Sequence, residues 1–194
     1  MQTLRLIEFL TVDGVMQGLG SPDEDRDGGF EHGGWGAPYA EGIHPDAGAS
    51  GLSATTAYLF GRRTYEKMAA FWPHQPADNP IAASMNALPK YVVTRTLTSV
   101  DWAGTTILSG DVSEEVAALK TDGDGTIAVL GSGVLARSLL AAGLVDGLQL
   151  FVHPLLLGTG KRLFGDLPLP RSLRLEAVDR TELGSVMLSY SFEG

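Results

Sequence analysis

The sequence predicts an α/β fold in which a central, mostly parallel mixed sheet is flanked by helices and ends in antiparallel C-terminal strands. Between residues 54 and 143, short apolar segments alternate with segments of helical spacing, and this pattern favours parallel strands with helices packed on the sheet faces. From residue 147 onward one extended segment follows another, which is typical of antiparallel strands. No internal repeat or linker divides the chain, so residues 1–194 are predicted to form a single domain.

Composition restricts the classes of protein that need to be considered. The chain is 44% hydrophobic and carries a net charge of −9, and an acidic surface argues against binding to nucleic acid or to anionic membranes. It has no cysteine, which excludes disulfides and cysteine-ligated metal centres. No signal-peptide pattern is present, and no apolar run approaches the roughly 20 residues of a membrane span. We therefore expect a cytoplasmic protein with a small-molecule partner and with neither nucleic acid nor membrane as a partner.

The first strand is predicted within residues 3–14, where apolar residues alternate loosely and the segment ends in an Asp-Gly turn. The connection that follows, Asp13 to Gly51, holds eleven of the 25 glycines together with Phe30, Trp35 and Tyr39. A connection of this length is usually a functional loop or a disordered one, and its aromatic residues favour a packed loop. Trp35 and Tyr39 could stack on a flat heterocyclic substrate, or they could anchor the loop.

Seven further strands are predicted in short, largely apolar segments bounded by turn-forming residues. They cover residues 54–61, 90–94, 105–110, 126–131, 147–158, 173–180 and 185–193. Pro154 is expected to break the fifth of these segments, because proline cannot donate a hydrogen bond to a sheet ladder.

Three helices are predicted between these strands from the spacing of their apolar side chains. They cover residues 63–72, 113–120 and 134–143. The first is expected to stop at Pro73, the second to be capped by Asp111 or Ser113, and the third to close at Gly143.

A glycine-rich turn follows the predicted strand in "IAVLGSGVLARSLL", residues 127–140. Gly131 and Gly133 flank Ser132 and lead directly into a helix, whose free amides and positive dipole end suit a phosphate group. The full G-x-G-x-x-G spacing is absent because Ala136 occupies the third glycine position. An ordinary strand-to-helix turn is therefore an equal alternative at this point.

Two adjacent arginines interrupt the segment "LFGRRTYEKM", residues 59–68. A salt-bridged helix face would space its charges three or four residues apart. Gly61, Arg62, Arg63 and Thr64 instead place two permanent cations and a hydroxyl at the corner between a strand and a helix. This arrangement is typical of a grip on an anion.

A third strand end carries similar groups, since "YVVTRTLTS" ends with Thr94, Arg95 and Thr96. Ligands of open α/β sheets bind at the carboxyl ends of the strands. One ligand with two or three phosphate groups would account for all three segments. The alternative is that the arginines are solvated and the glycine-rich turn only caps a helix. In that case the three strand ends would carry these groups together by chance.

Several motifs together resemble a known family. They are "TVDG", "FGRRTYE", "GSGVLARSLL", "LLLGTGKRLF" and "GGFEHGGWGAPY". The chain resembles, over nearly its whole length, the dihydrofolate-reductase-like reductases related to the C-terminal domain of the riboflavin-biosynthesis deaminase/reductase. The last motif is similar to a segment of the stand-alone bacterial members. The resemblance implies the dihydrofolate-reductase-like version of the α/β fold predicted above.

The resemblance also implies that NADPH is the cofactor. Its phosphates and adenosine would be held at the three strand ends. The cofactor-binding residues that it implies are Gly61, Arg62, Arg63, Thr64, Thr94, Arg95, Thr96, Gly131, Ser132, Gly133, Val134 and Leu135.

The activity implied is the NADPH-dependent reduction of a small heterocyclic substrate, like that of 5-amino-6-(5-phosphoribosylamino)uracil reductase of riboflavin biosynthesis or of dihydrofolate reductase. The alternative is a sensor module that binds NADPH without catalysis. A homodimer is expected as well, because reductase domains of this kind are often dimeric and the apolar C-terminal strands need cover at a sheet edge.

Three acids are candidates for a catalytic group. Dihydrofolate reductases place a substrate-binding carboxylate on their first helix, and the matching region here, residues 39–53, contains only Glu41 and Asp46. Neither sits in a recognisable copy of that motif, which puts reduction of dihydrofolate itself in doubt. Asp13 is the third candidate, with formation of its own turn as an equal alternative.

Other polar residues receive structural interpretations. His153 lies in an apolar strand and is interpreted as a hydrogen-bonded core histidine. Glu31 and His32 resemble a fragment of a metal site, but no second histidine follows at helical spacing, so no metal is expected. Lys161 and Arg162 follow a glycine-rich turn and are interpreted as solvated side chains.

Overall fold

The computed structural model describes residues 1–42, 54–165 and 169–193. Within these ranges eight strands form one sheet. They are β1 (Thr3–Thr11), β2 (Thr55–Gly61), β3 (Lys90–Val93), β4 (Thr105–Leu108), β5 (Thr126–Leu130), β6 (Gly147–His153), β7 (Leu173–Arg180) and β8 (Val186–Phe192). The described α-helices are α1 (Arg62–Phe71), α2 (Pro80–Ala87), α3 (Val112–Thr121) and α4 (Gly133–Ala141).

The order of strands in the sheet is β4-β3-β2-β5-β1-β6-β8-β7. Every pair from β4 to β6 is parallel, whereas β8 pairs antiparallel with both β6 and β7. The predicted mixed sheet with antiparallel C-terminal strands is therefore confirmed. In its parallel part, described helices connect β2 to β3, β4 to β5 and β5 to β6 and return the chain to the same edge.

The helix boundaries follow local chemistry. Asp111 caps α3, because its carboxylate accepts hydrogen bonds from the amides of Ser113 and Glu114 at 2.9 and 3.1 Å, which decides between the two predicted caps. α1 ends just before the turn that contains Pro73. Gly143 follows α4 with a φ of +69°, a conformation that side-chain-bearing residues rarely adopt.

Helix α2 is absent from the sequence-based prediction. Its eight residues are too few for a clear apolar stripe, and only Ala82 and Met85 are buried. The sequence signal for α2 is at its N-terminus. Asn79 caps the amides of Ile81 and Ala82, and Pro80 occupies the first helical position. Both residues are favoured at those positions.

Two apolar clusters cover the two faces of the sheet. One packs β1, β5 and β6 against α3 and α4 and includes Leu6, Val129 and Leu139. The other packs the opposite face and includes Tyr58 and Phe60. The alternation of side chains along each strand divides them between the two clusters.

The long connection after β1 packs onto the domain over its described part, residues 12–42. Phe30 and Trp35 are buried with Val15 in a third, smaller cluster. The indole N–H of Trp35 donates to the Gln17 carbonyl at 2.7 Å. The prediction of a packed loop is confirmed for these residues.

Over the residues that the structure describes, no helix is both long enough and apolar enough to cross a bilayer.

Candidate functional site

The candidate site lies where β2 and β5 end side by side. Gly61 ends β2 and Gly131 follows β5, and the two turns touch. A Cβ atom on Gly61 would collide with Ser132 Oγ, and one on Gly131 would lie 2.8 Å from Thr64 Oγ1. Gly131 also has a φ of +49°, and the Gly131–Ser132 peptide bond is cis. Glycine at both positions therefore allows the start of α1 to lie against the start of α4.

These two helix starts lack side-chain caps. In the part of the chain that the structure describes, no N-cap side chain accepts a hydrogen bond from the first amides of α1, which follows Gly61, or of α4, which follows Ser132. The other two described helices are capped by Asn79 and Asp111. The first amides of α1 and α4, together with their positive dipole ends, are thus available to an anionic ligand.

A cleft of about 320 Å³ opens between these helix starts and the long connection. It is lined by Met16, Gln17, Gly18, Glu24, Asp25, Arg26, Asp27, Arg63, Thr64, Lys67, Met68, Gly133, Val134, Arg137 and Lys161. Five of these side chains are cationic and three are acidic. The cleft is therefore locally positive in a chain whose net charge is −9, and it suits an anionic ligand.

The structure separates the two adjacent arginines. Arg63 lines the cleft. Arg62 does not, and its guanidinium instead pairs with Glu66, one helical turn further along, with both N–O distances at 3.0 Å. Successive helical residues point about 100° apart, so only one of the pair can face the ligand.

The other predicted cofactor residues divide in a similar way. Thr64, Gly133 and Val134 line the cleft, whereas the side chain of Leu135 is buried in the core below it. Gly61, Gly131 and Ser132 form the turns behind the cleft.

The third predicted strand end lies beside the site, since β3 is the neighbour of β2. Thr94 Oγ1 accepts hydrogen bonds from the amides of Thr96 and Leu97, both at 3.1 Å, and so turns the chain. Arg95 is exposed. Thr94, Arg95 and Thr96 are not among the described residues that line the cleft.

The acidic side chains in the turn at residues 24–27 already form ion pairs with cations of the cleft. Asp27 Oδ2 accepts from Arg63 at 2.6 Å and from Lys161 at 2.7 Å. These two cations, Lys161 first, lower the pKa of Asp27 to about 2. Lys161 also pairs with Asp25 at 2.8 Å. A carboxylate of the protein thus occupies the position between Arg63 and Lys161, where an external anion would fit.

Four cations of the cleft were not predicted from the sequence: Arg26, Lys67, Arg137 and Lys161. Two had a local signal, since Lys67 follows Arg63 and Arg137 follows Gly133 by four residues, which places each pair on one helix face. Lys161 had no such signal, because its partners lie more than 130 residues away in the chain. Lys161 is exposed, as its interpretation as a solvated side chain implied, but its ammonium also pairs with Asp25 and Asp27.

Asp13 holds two loops together. Its carboxylate accepts hydrogen bonds from the Thr11 hydroxyl at 2.6 Å and from the Gly158 amide at 2.8 Å, and Arg162 pairs with it at 3.5 Å. The hydrogen bond from Thr11 is the main cause that lowers the pKa of Asp13 to about 2. Asp13 is therefore ionised near neutral pH and has no proton to supply.

The structure gives little information on the two other candidate catalytic acids, Glu41 and Asp46. Glu41 lies in the 3₁₀ turn Ala37–Gly42, and Asp46 lies outside the described residues. No group of three or more histidine, aspartate or glutamate side chains that could hold a metal occurs among the described residues.

An aromatic cluster lies at the carboxyl ends of β1 and β6. Tyr39 stacks on the His153 imidazole with 4.9 Å between ring centroids, and Trp35 meets the same ring edge-on at 5.6 Å. Phe9 stacks on Phe151 at 4.6 Å and also approaches His153. Trp35 is fixed to Gln17 and anchors the loop, whereas Tyr39 is half-buried.

A buried carboxyl group lies beneath the glycine turn. Glu8 of β1 is only 5% exposed, and its neighbour Ile7 pairs with Leu130, the last residue before Gly131. Burial raises the pKa of Glu8 to about 8, although the nearby Gly131 amide acts in the opposite direction. Glu8 is therefore mostly protonated at pH 7.

Comparison with known proteins gives one family match. The family model described as the RibD C-terminal domain matches residues 3–189. The uncharacterized protein YyaP of Bacillus subtilis (strain 168) is 27% identical over 156 residues, which cover 78% of this chain and 82% of YyaP.

Solved structures share the fold. A putative riboflavin biosynthesis protein from Shewanella sp. PV-4 aligns with a TM-score of 0.73 at 20% identity, covering 100% of both chains. A pyrimidine reductase-like protein from Corynebacterium diphtheriae gives 0.60 at 15% identity, covering 100% of this chain and 92% of that one. Dihydrofolate reductase from Enterococcus faecalis, complexed with NADP(H) and RAB-propyl, gives 0.58 at 16% identity, covering 99% and 97%. The dihydrofolate-reductase-like fold predicted from the sequence is confirmed.

Proposed function

The chain belongs to the RibD C-terminal domain family, and from this membership we propose that it is an oxidoreductase that uses NADPH to reduce a small nitrogen heterocycle. The observation that carries the proposal is the cationic cleft between the uncapped starts of α1 and α4. Two helix starts and several cations at one place suit a ligand with more than one phosphate group.

The residues present fit such a cofactor. The amides at Gly133 and Val134 and the hydroxyl of Thr64 would face its pyrophosphate, because they line the cleft where the two helix starts meet. Arg63 and Lys161 would hold a phosphate group in the position that Asp27 occupies. NADPH, when bound, supplies the hydride, and the chain supplies orientation and a site shielded from water.

The proposed substrate is a planar heterocycle such as 5-amino-6-(5-phosphoribosylamino)uracil or a dihydropteridine. The family membership supports this class, as does the aromatic cluster of Phe9, Trp35, Tyr39 and Phe151 around His153. Trp35 and Phe151 are buried, so the partly exposed rings of Phe9 and Tyr39 are the flat apolar surfaces of this cluster that are open to such a ring.

The test is the loss of NADPH absorbance at 340 nm with a panel of aminopyrimidinones and pteridines. An enzyme should oxidise NADPH only when a substrate is present. The alternative, an NADPH-binding sensor, should bind the cofactor in calorimetry and turn over none of the panel. Absence of NADPH binding would exclude both functions.

Replacing Asp27 with asparagine should strengthen NADPH binding. The aspartate competes with the cofactor for Arg63 and Lys161, and the variant removes its charge while keeping its size. Because both ion pairs are exposed and each is weak, we expect a gain of about two- to tenfold in affinity measured by calorimetry. Asp124→Asn, which removes an exposed charge paired with the N-terminal ammonium and outside the cleft lining, is the control. Weaker binding by Asp27→Asn would show that the aspartate contacts the cofactor favourably.

We also propose that the protein is a homodimer. β7 is an edge strand of the sheet, it is exposed along its whole length, and it displays Leu175 and Val178, which are 51% and 53% exposed. Such an edge needs a cover. Light scattering at micromolar concentration should give twice the monomer mass, and Val178→Asp should reduce it. A monomeric wild type would contradict the proposal.

A further inference from the structure

We propose that His153 is a positioning residue of the substrate site, where its Nε2–H donates a hydrogen bond to a carbonyl oxygen or ring nitrogen of the heterocycle. The inference rests on the proposed function and adds a chemical requirement to it. The substrate must present a hydrogen-bond acceptor at the edge that meets His153.

The first observation is a buried nitrogen without a partner. His153 is 1% exposed, and its Nε2 atom has no hydrogen-bond partner among the described residues. A buried polar atom without a hydrogen bond destabilises the folded state, so native structures rarely contain one without a functional reason. Tyr39 contacts the face of the ring, and that contact cannot satisfy a nitrogen in the ring plane.

The second observation fixes the proton. His153 Nδ1 lies 2.8 Å from Ser185 Oγ. The Ser185 main chain is held by Thr181, whose hydroxyl accepts from the Ser185 amide at 3.1 Å and whose amide donates to the Ser185 carbonyl at 2.9 Å. Among the described residues the Ser185 hydroxyl has no acceptor except Nδ1. If Nδ1 carried the proton, both the Ser185 hydroxyl proton and Nε2 would be unpaired. We therefore assign the hydroxyl as the donor to Nδ1 and place the proton of the neutral imidazole on Nε2.

The third observation is location. His153 ends β6, and its Cα is paired with that of Thr11 at the end of β1. Trp35 links this cluster to the cleft, because its ring packs against His153 and its indole N–H binds the carbonyl of Gln17, a residue that lines the cleft. The half-buried ring of Tyr39 stacks on the imidazole from the long connection. In this proposal the heterocycle reaches His153 by displacing that ring.

Burial also lowers the pKa of His153, which keeps the imidazole neutral at pH 7. It therefore acts as a hydrogen-bond donor that orients the substrate, and protonation of the substrate is left to another group.

Nitrogen-15 NMR of the histidine ring tests the proposal directly, with 5-aminouracil as the probe because it has two carbonyl acceptors. The free protein should show the Nε2–H tautomer, and millimolar 5-aminouracil should shift the Nε2–H signal downfield. Aniline, a planar ring without a carbonyl, should leave that signal in place. A protonated Nδ1, or an unchanged signal with 5-aminouracil, would overturn the proposal.

Two variants separate a positioning role from a structural one. His153→Gln keeps an N–H donor and should bind 5-aminouracil within about threefold of wild type, whereas His153→Leu should bind it at least about tenfold more weakly. Equal binding by the two variants would overturn the proposal. A shift of the histidine signal without NADPH oxidation by any member of the panel would instead contradict the proposed function and leave the donor role standing.

Discussion

Replacing Glu8 with glutamine is expected to stabilise the protein by roughly 5 kcal/mol above pH 8, with almost no effect at pH 4. The carboxyl group is buried, and burial raises its pKa from the ordinary value of 4.5 to about 8 in the folded protein. The folded state therefore holds a proton that the unfolded state releases. Wild-type stability is full below pH 4.5 and falls as the pH rises towards 8, whereas glutamine has no proton to lose.

Chemical denaturation of both proteins between pH 4.5 and 8.5 measures this effect. The difference in free energy of unfolding should grow with pH, and other titrating groups cancel in the comparison. Glu182→Gln makes the same chemical change at an exposed site and is the matched control. A difference that stays flat with pH would mean that Glu8 has the same pKa in both states.

Replacing Arg63 with alanine is expected to weaken NADPH binding about ten- to a hundredfold. Arg63 lines the cleft, and its guanidinium is planar, permanently charged and suited to a phosphate. If Arg63 contacts the 2′-phosphate, the loss for NADH should be much smaller, because that group is the only difference between the two cofactors. Calorimetry with both cofactors provides the measurement.

Arg62→Ala is a closely matched control for this experiment. It removes the same side chain one residue away, from a guanidinium that pairs with Glu66 and does not line the cleft. NADPH affinity should change less than about threefold, since long-range charge effects are screened by salt. Equal losses in Arg62→Ala and Arg63→Ala at physiological salt would contradict the placement of the cofactor.

Much of the fold could be predicted because its signals are local. All eight described strands and three of the four described helices were predicted. The signals were loose alternation in the first strand, apolar segments alternating with helical spacing in the middle, and successive extended segments at the end. The order of the parallel strands then placed the ends of β2, β3 and β5 side by side, as the shared glycine, hydroxyl and arginine groups indicated. The exception was α2, which is too short to show a helical pattern of apolar residues. Its sequence signal was the capping pair Asn79 and Pro80 at its N-terminus.

The site depended on contacts that no local pattern contains. The sequence by itself placed Arg62 and Arg63 at a strand-to-helix corner, but only the position of α1 against the sheet decided which of them faces the cleft. The sequence predicted a solvated Lys161 and a hydrogen-bonded core histidine at position 153, but it named the partner of neither. Tertiary packing brings Lys161 to Asp27 and Ser185 to His153. Local propensity depends on neighbours within a few residues, whereas a charge or a proton is positioned by whatever the fold packs against it, and those partners lie anywhere in the chain.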